Sequence, residues 1–150
     1  MNRNGDSKFS TSFKINRHML NLTFHHTGLA VKSIDAERLH YETIFGKENI
    51  SPTVYISSQN VNVCFIKIGQ DICLELVEPA TGDSPVSSLV KKGITYYHTG
   101  YLTENVETTI LALEPLGYKC ISKFNSEAFN NKKCAFLYSR SNMLIEVIEK

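Results

Sequence analysis

The sequence lacks an excess of charge of either sign, and this absence limits its partners. Lysine and arginine number 16, aspartate and glutamate number 15, and the formal net charge is +1. Nucleic acids and anionic membranes are typically bound by a clustered basic surface, so we expect neither as a partner. No apolar run approaches the roughly 18 residues that indicate a membrane-spanning helix.

The chain also lacks the cysteine spacing of thiolate metal sites and the apolar leader of a secreted protein. Its four cysteines include no C-x-x-C pair, so we interpret them as reduced, buried thiols rather than zinc ligands. The first 20 residues are polar and basic with no apolar stretch, which does not fit a secretory signal. We therefore expect a flexible N-terminal extension over residues 1–21 and a cytoplasmic location. The cysteines are Cys64, Cys73, Cys120 and Cys134.

What the sequence does contain is an internal repeat. The tripeptide His26-Thr27-Gly28 recurs 72 positions later as His98-Thr99-Gly100, each time in a strand-like run. Farther along each half, an apolar run carries one glutamate, Glu75 in the first and Glu146 in the second, 71 positions apart. A fixed offset over much of a chain indicates duplication. Each half therefore places one strand histidine and one strand glutamate at matching positions.

The pattern of apolar residues and turns predicts the same element order in both halves, a strand, a helix and three further strands. The fold class is α+β, with two tandem βαβββ modules over about 22–80 and 95–150. A short helix is predicted in the linker, with Ser84 as its N-cap and Pro85 in its first turn. Predicted strands cover 24–31, 53–57, 61–68, 72–77, 96–102, 118–123, 132–139 and 143–148. The first main helix is predicted over 34–45, and the second is capped by Asn105 or Thr103 and runs to about Glu114.

Finer expectations follow from periodicity. Alternation along the first strand puts His26 on one face and His25 on the opposite face. We therefore interpret His25 as a structural residue and not as a ligand. Helical spacing assigns Leu39 and Ile44 to the buried stripe of the first helix. Glu78 and Glu149 end their strands and are expected to be solvated, and His40 is expected on the helix surface. Residues 124–131 are expected to form a polar loop whose two aromatics contact a substrate.

The matched histidines and glutamates predict a metal site. A carboxylate inside an apolar strand is costly unless it is paired or bound to a metal. If the two modules pack about a pseudo-two-fold axis, His26, Glu75, His98 and Glu146 converge on one point. Imidazole nitrogen and carboxylate oxygen suit a divalent Ni, Co, Mn, Fe or Zn ion. Four such ligands leave two octahedral positions for water or substrate oxygens.

These residues resemble the vicinal oxygen chelate superfamily, which includes glyoxalase I, methylmalonyl-CoA epimerase, extradiol dioxygenases and bleomycin or fosfomycin resistance proteins. The resemblance covers about residues 22–150. Its motifs are His26-Thr27-Gly28-Leu29-Ala30-Val31, Glu75-Leu76-Val77-Glu78-Pro79, Asp83-Ser84-Pro85, Tyr97-His98, Lys133-Cys134-Ala135-Phe136-Leu137 and Leu144-Ile145-Glu146. It implies a cupped mixed sheet around a divalent ion held by His26, Glu75, His98 and Glu146, with the carboxylates of Glu146 and Glu75 as the catalytic groups.

The function implied by the resemblance is that of a metal-dependent isomerase or lyase. In such enzymes a small-molecule thioester or oxo substrate loses its α-proton and passes through an enediolate stabilised by the metal. Methylmalonyl-CoA epimerase-like chemistry is the first expectation, and glyoxalase I (lactoylglutathione lyase)-like chemistry is the alternative. A non-catalytic binding or resistance protein and an extradiol-type dioxygenase are further alternatives. A homodimer is also expected from the resemblance.

Overall fold

The computed structural model describes residues 20–150, and most of the expected extension over 1–21 lies outside them. The strands are β1 Thr23–Ala30, β2 Val54–Ile56, β3 Val61–Lys67, β4 Cys73–Pro79, β5 Tyr96–Thr103, β6 Lys119–Ser126, β7 Lys132–Tyr138 and β8 Leu144–Glu149. The helices are α1 Ile34–Phe45, α2 Ser87–Lys91 and α3 Val106–Leu113, with 3-10 turns at Lys47–Asn49, Glu114–Leu116 and Glu127–Phe129. The predicted α+β class and the repeated βαβββ order are confirmed.

All eight strands form one mixed sheet in the order β2-β3-β4-β1-β5-β8-β7-β6. The two modules join at its centre, where β1 and β5 pair antiparallel, and each of these strands is parallel to the last strand of its own module. The edge strands β2 and β6 are farthest apart in the sheet order. Nevertheless the Ser57 backbone N–H donates to Glu127 Oε1 at 3.1 Å, and Ser58 Oγ donates to the Asn125 carbonyl at 3.4 Å. The sheet therefore curls into a cup.

Helices α1 and α3 cover the outer face of the cup. Under α1 the buried residues include Cys64, Ile66 and Leu76, and under α3 they include Leu137 and Val147. Burial of these apolar side chains is the main stabilising contribution of each module. A third cluster, inside the cup, combines residues of β1 to β4 with Val86. Leu20 and Leu22 pack against the α3 cluster.

The ends of the two main helices repeat the same contacts. Ser33 Oγ accepts from the Ala36 N–H, and Asn105 Oδ1 accepts from the Thr108 N–H, so both residues act as N-caps. Glu78 and Glu149 were expected to be solvated, and this is wrong. Glu78 Oε2 accepts from the first backbone N–H of α1, and Glu149 Oε2 accepts from that of α3, both at 3.2 Å. An anionic acceptor at a helix N-terminus complements the helix dipole.

Three other expectations need correction. Leu39 and Ile44, expected in the buried stripe of α1, are 71% and 55% exposed. A rotation of 100° per residue places them about 140° and 80° around the helix from the buried Ile34. Tyr41 and Phe45 lie within about 20° of Ile34 and pack against the core instead. Helix α2 begins at Ser87 with Val86 as its N-cap, since Ser84 and Pro85 form the preceding turn. Strand β6 continues to Ser126, because residues 124–126 pair in register with β7.

All four cysteines are free thiols, with Cys64 and Cys134 buried and the other two half-buried. Among residues 20–150, no helix is both long enough and apolar enough to cross a membrane.

Candidate metal centre

The two repeat histidines meet at the centre of the sheet. His26 on β1 faces Gly100 on β5, and His98 on β5 faces Gly28 on β1. The two imidazoles cross at 89° and their Nε2 atoms lie 2.8 Å apart. Both side chains are buried inside the cup, with 0% and 1% exposure.

The two repeat glutamates lie on either side of this pair, because β4 and β8 flank β1 and β5. Glu75 Oε2 is 3.4 Å from His26 Nε2 and 3.2 Å from His98 Nε2. Glu146 Oε2 is 3.2 Å and 3.4 Å from the same two nitrogens. Both carboxylates are buried, with exposures of 5% and 4%. The structure therefore brings together all four residues that the repeat singled out.

The geometry of these four groups suits a divalent ion. One ligand atom from each residue lies within 4.8 Å of every other, and His26, Glu75, His98 and Glu146 are all buried. Bond lengths of about 2.1 Å to nitrogen and oxygen put adjacent octahedral ligands about 3.0 Å apart. The nitrogen–nitrogen and nitrogen–oxygen separations of 2.8 to 3.4 Å in the structure bracket that value. This group of residues could therefore hold a metal ion.

The repeated glycines make room for the histidines. A Cβ atom built on Gly28 would overlap the imidazole of His98, and one built on Gly100 would overlap the imidazole of His26. Neither glycine has a positive φ, so the requirement is for space and not for an unusual backbone conformation. The glycine of each His-Thr-Gly tripeptide thus leaves the space that the histidine of the other module occupies.

Replacing either glycine with alanine is expected to displace the opposite imidazole. Because overpacking a rigid interior costs about 1–3 kcal/mol, Gly28→Ala and Gly100→Ala should lower the free energy of unfolding by that amount and weaken binding of divalent metal. Urea denaturation and metal titration measure the two effects. Gly82→Ala is the matched control, since Gly82 has open space around it. Wild-type stability and metal affinity in both site variants would contradict this packing.

Charge within the site is unevenly distributed. Burial lowers the pKa of His98, but hydrogen bonds to the carboxylates of Glu146 and Glu75 outweigh it and raise the pKa to about 9. Burial raises the pKa of Glu146, but the imidazoles of His26 and His98, at 3.2 and 3.4 Å from its Oε2, outweigh the effect of burial, so this pKa falls below its ordinary range. Without a metal, this raised pKa favours the imidazolium form of His98 at neutral pH.

This charge state predicts proton release when a metal binds. Because the pKa of His98 rises from 6.5 to about 9 on folding, its stabilising effect is complete below pH 6.5 and is lost as the pH rises through 9. A cation must displace that proton from Nε2, so metal affinity should increase with pH up to about 9. Calorimetric titration at pH 7.5 in two buffers of different ionisation enthalpy should show about one proton released per metal. A buffer-independent heat would contradict the assignment.

Two β-bulges alter the surroundings of the histidines. The β1–β5 register passes directly from Phe24 to His26, which leaves His25 unpaired, and a second shift leaves Tyr97 unpaired in β5. A bulge re-aims its side chain, so the expected opposite-face position of His25 is wrong. The rings of His25 and His26 both contact Phe65 and Phe129.

A small cavity borders three of the four residues, Glu75, His98 and Glu146. It has a volume of about 20 Å³, about one water molecule, and both Glu75 and Glu146 line it. Its other walls are mainly apolar, with Phe124 from the predicted substrate loop among them. A wider groove of about 530 Å³ adjoins it and shares Gln59, Tyr97 and Phe136. The sequence analysis did not identify these three residues as site residues. Tyr97 could have been identified, because it occupies the repeat position equivalent to His25, next to a candidate ligand.

Comparison with known proteins agrees with this architecture. The profile of the Glyoxalase/Bleomycin resistance protein/Dioxygenase superfamily matches residues 25–138, and the chain belongs to that superfamily. The resemblance drawn from the sequence motifs is thereby confirmed.

Individual relatives include an uncharacterised protein and methylmalonyl-CoA epimerases. The uncharacterised protein YqjC of Bacillus subtilis is 35% identical over 127 residues, 83% of this chain and 89% of that protein. The mitochondrial methylmalonyl-CoA epimerase of Bos taurus is 24% identical over 115 residues, 75% of this chain and 65% of the epimerase. A Streptomyces coelicolor methylmalonyl-CoA epimerase variant, solved with 2-nitronate-propionyl-CoA, superposes with a TM-score of 0.74 at 23% identity, over 86% of this chain and 98% of that one.

Proposed function

We propose that this protein is a metal-dependent isomerase or lyase that transfers a proton α to the carbonyl of a small-molecule thioester or oxo substrate. Epimerisation of a methylmalonyl thioester is the reaction that we favour. The observation that carries the proposal is the convergence of two imidazoles and two carboxylates, all buried, with three of these four residues lining one cavity. Membership of a superfamily with epimerase relatives supports the same reaction class.

The residues proposed to hold the ion are His26, Glu75, His98 and Glu146. A bound Ni, Co, Mn, Fe or Zn ion would supply a Lewis acid that stabilises negative charge on a carbonyl oxygen, an effect worth several kcal/mol. An α-proton is too weakly acidic for a carboxylate to remove without such help. Imidazole and carboxylate donors do not by themselves select one of these metals.

The carboxylates are proposed to move the proton. Both face the same small cavity, and their strands approach it from opposite sides of the histidine pair. Epimerisation requires removal of a proton from one face of a carbon and delivery to the other, and a pair of flanking carboxylates suits that requirement. We assign the proton transfer to Glu146, with Glu75 as the second acid–base candidate.

The walls of the cavity support chemistry away from bulk water. Val61, Val63, Val77 and Phe136 line it beside the carboxylates. Electrostatic interactions strengthen where water is excluded, so a charge that develops here is stabilised more than at the surface. The adjoining groove of about 530 Å³ offers space for the part of a substrate that does not react.

The test uses protein stripped with a chelator and reloaded with each of the five metals. Exchange of the α-proton of methylmalonyl-CoA in heavy water, followed by proton NMR, detects the favoured reaction. Conversion of the methylglyoxal–glutathione hemithioacetal to its thioester detects glyoxalase I-like chemistry instead. Metal-dependent turnover of the first substrate supports the proposal. Inactivity towards both substrates with every metal would refute it.

A further inference from the structure

His25 is the bulged residue that immediately precedes a proposed metal ligand. Its Nδ1 lies 2.9 Å from Nδ1 of His26, within hydrogen-bond distance. The other nitrogen of His26, Nε2, is the atom that faces His98 and both glutamates. The two nitrogens of His26 therefore have separate partners, one outside the candidate metal centre and one inside it.

We infer that His25 is a positioning residue, which holds His26 as the tautomer that carries its proton on Nδ1 and presents the Nε2 lone pair to a cation. The inference rests on the metal centre of the proposed function. A hydrogen bond between two nitrogens needs one donor and one acceptor. Because Nε2 of His26 must offer its lone pair to the cation, the inferred direction is donation from Nδ1–H of His26 to Nδ1 of His25. Partners of this kind fix the tautomer and ring orientation of metal-binding histidines.

The aromatic residues around His25 hold its ring in place for this role. Its centroid lies 6.0 Å from that of Phe65 and 5.5 Å from that of Phe129, both at edge-to-face angles. Such contacts are favourable and directional. On its other side the ring borders an open cavity of about 530 Å³, where water can hydrogen-bond to the remaining nitrogen.

The second module shows what the arrangement looks like without this partner. The residue equivalent to His25 is Tyr97, which is also bulged and packs edge-on against His98 with ring centroids 4.7 Å apart. Among the described residues, His98 Nδ1 is buried and has no hydrogen-bond partner. The two modules therefore differ outside the four candidate ligands. Nδ1 of His26 has a hydrogen-bond partner, whereas Nδ1 of His98 has none among the described residues.

The experiment compares wild-type protein with His25→Phe and His25→Asn. Phenylalanine keeps the aromatic packing and removes the acceptor, whereas the asparagine oxygen can replace Nδ1. Long-range ¹H–¹⁵N correlation spectra of the metal-free and zinc-loaded proteins report the tautomer of His26, and competition with a chromophoric chelator reports zinc affinity. His40→Gln, at an exposed helix position, controls for loss of a histidine.

In wild-type protein we expect a single His26 tautomer with the proton on Nδ1. His25→Phe should give a mixture of tautomers and weaken zinc binding about 10–100-fold, the usual effect of losing such a partner. His25→Asn should recover most of that loss. An Nε2–H tautomer in the wild type, or wild-type affinity in His25→Phe, would overturn the inference. The wild-type spectrum decides even if the variants fail to fold.

No substrate enters these measurements, so they separate the inference from the proposed reaction. Inactivity with both substrates, together with the expected tautomer and affinity changes, would refute the reaction and support the role of His25. Turnover of either substrate by a His25→Phe protein that binds zinc as tightly as the wild type would support the reaction and overturn the role.

Discussion

Glu146→Gln is expected to lower the rate of α-proton transfer by about 100-fold to 10,000-fold, the usual range for loss of a positioned acid–base group. Glutamine is nearly isosteric, and its amide oxygen can still bind a cation, whereas it cannot accept and return a proton. Glu146 is buried beside His26 and His98, with Oε2 at 3.2 and 3.4 Å from their Nε2 atoms, so it is positioned to act on a group bound at this site. The loss should therefore appear mainly in kcat rather than in KM.

The measurement is deuterium exchange at the α-carbon of methylmalonyl-CoA by metal-loaded protein, with metal content determined on the same sample. Glu104→Gln is the matched control, because Glu104 is an exposed glutamate whose partner is the surface residue Lys150. Glu75→Gln shows whether the second carboxylate shares the role. A Glu146→Gln protein that holds metal and keeps wild-type kcat would contradict the assignment of Glu146.

His98→Ala is expected to reduce affinity for divalent metal by more than about 100-fold, beyond the range seen for residues that only support a ligand. In metal-free protein the same change removes the imidazolium that separates two buried carboxylates. Breaking a buried ion pair from one side typically costs about 3–5 kcal/mol, so the free energy of unfolding at pH 7 should also fall markedly.

Chelator competition and urea denaturation measure these two effects, with His40→Ala as the control. Raising the pH should narrow the stability gap between wild type and His98→Ala, because the contribution of His98 is lost as the pH rises through its pKa of about 9. Excess metal should stabilise the wild type far more than the variant. Equal metal affinity in the two proteins would contradict the role of His98.

The sequence predicted the four candidate ligands because the repeat itself contains the information. Two copies of one module, joined through equivalent strands, bring equivalent side chains together on the symmetry axis. His26 and His98 meet because β1 and β5 are the first strands of their modules and pair with each other. Neither histidine alone would have indicated a site.

Periodicity failed where the backbone departs from regular geometry. The opposite-face prediction for His25 assumed strict alternation, and a one-residue bulge reverses it. The prediction that Glu78 is solvated did not consider the N-terminus of α1, whose backbone N–H donates to the Glu78 carboxylate. The prediction that Leu39 is buried rested on the number of apolar residues in α1 and not on their angular positions around the helix axis. Each error concerns tertiary contacts that a single strand or helix pattern does not encode.

The proposed function depends on one divalent ion bound between the two modules and held by His26, Glu75, His98 and Glu146. Anomalous diffraction from crystals of the cobalt-loaded protein tests this binding most directly. We expect a single strong peak about 2.0–2.2 Å from Nε2 of both histidines and from an oxygen of each carboxylate. A peak bound to other residues, or no peak at saturating cobalt, would contradict it.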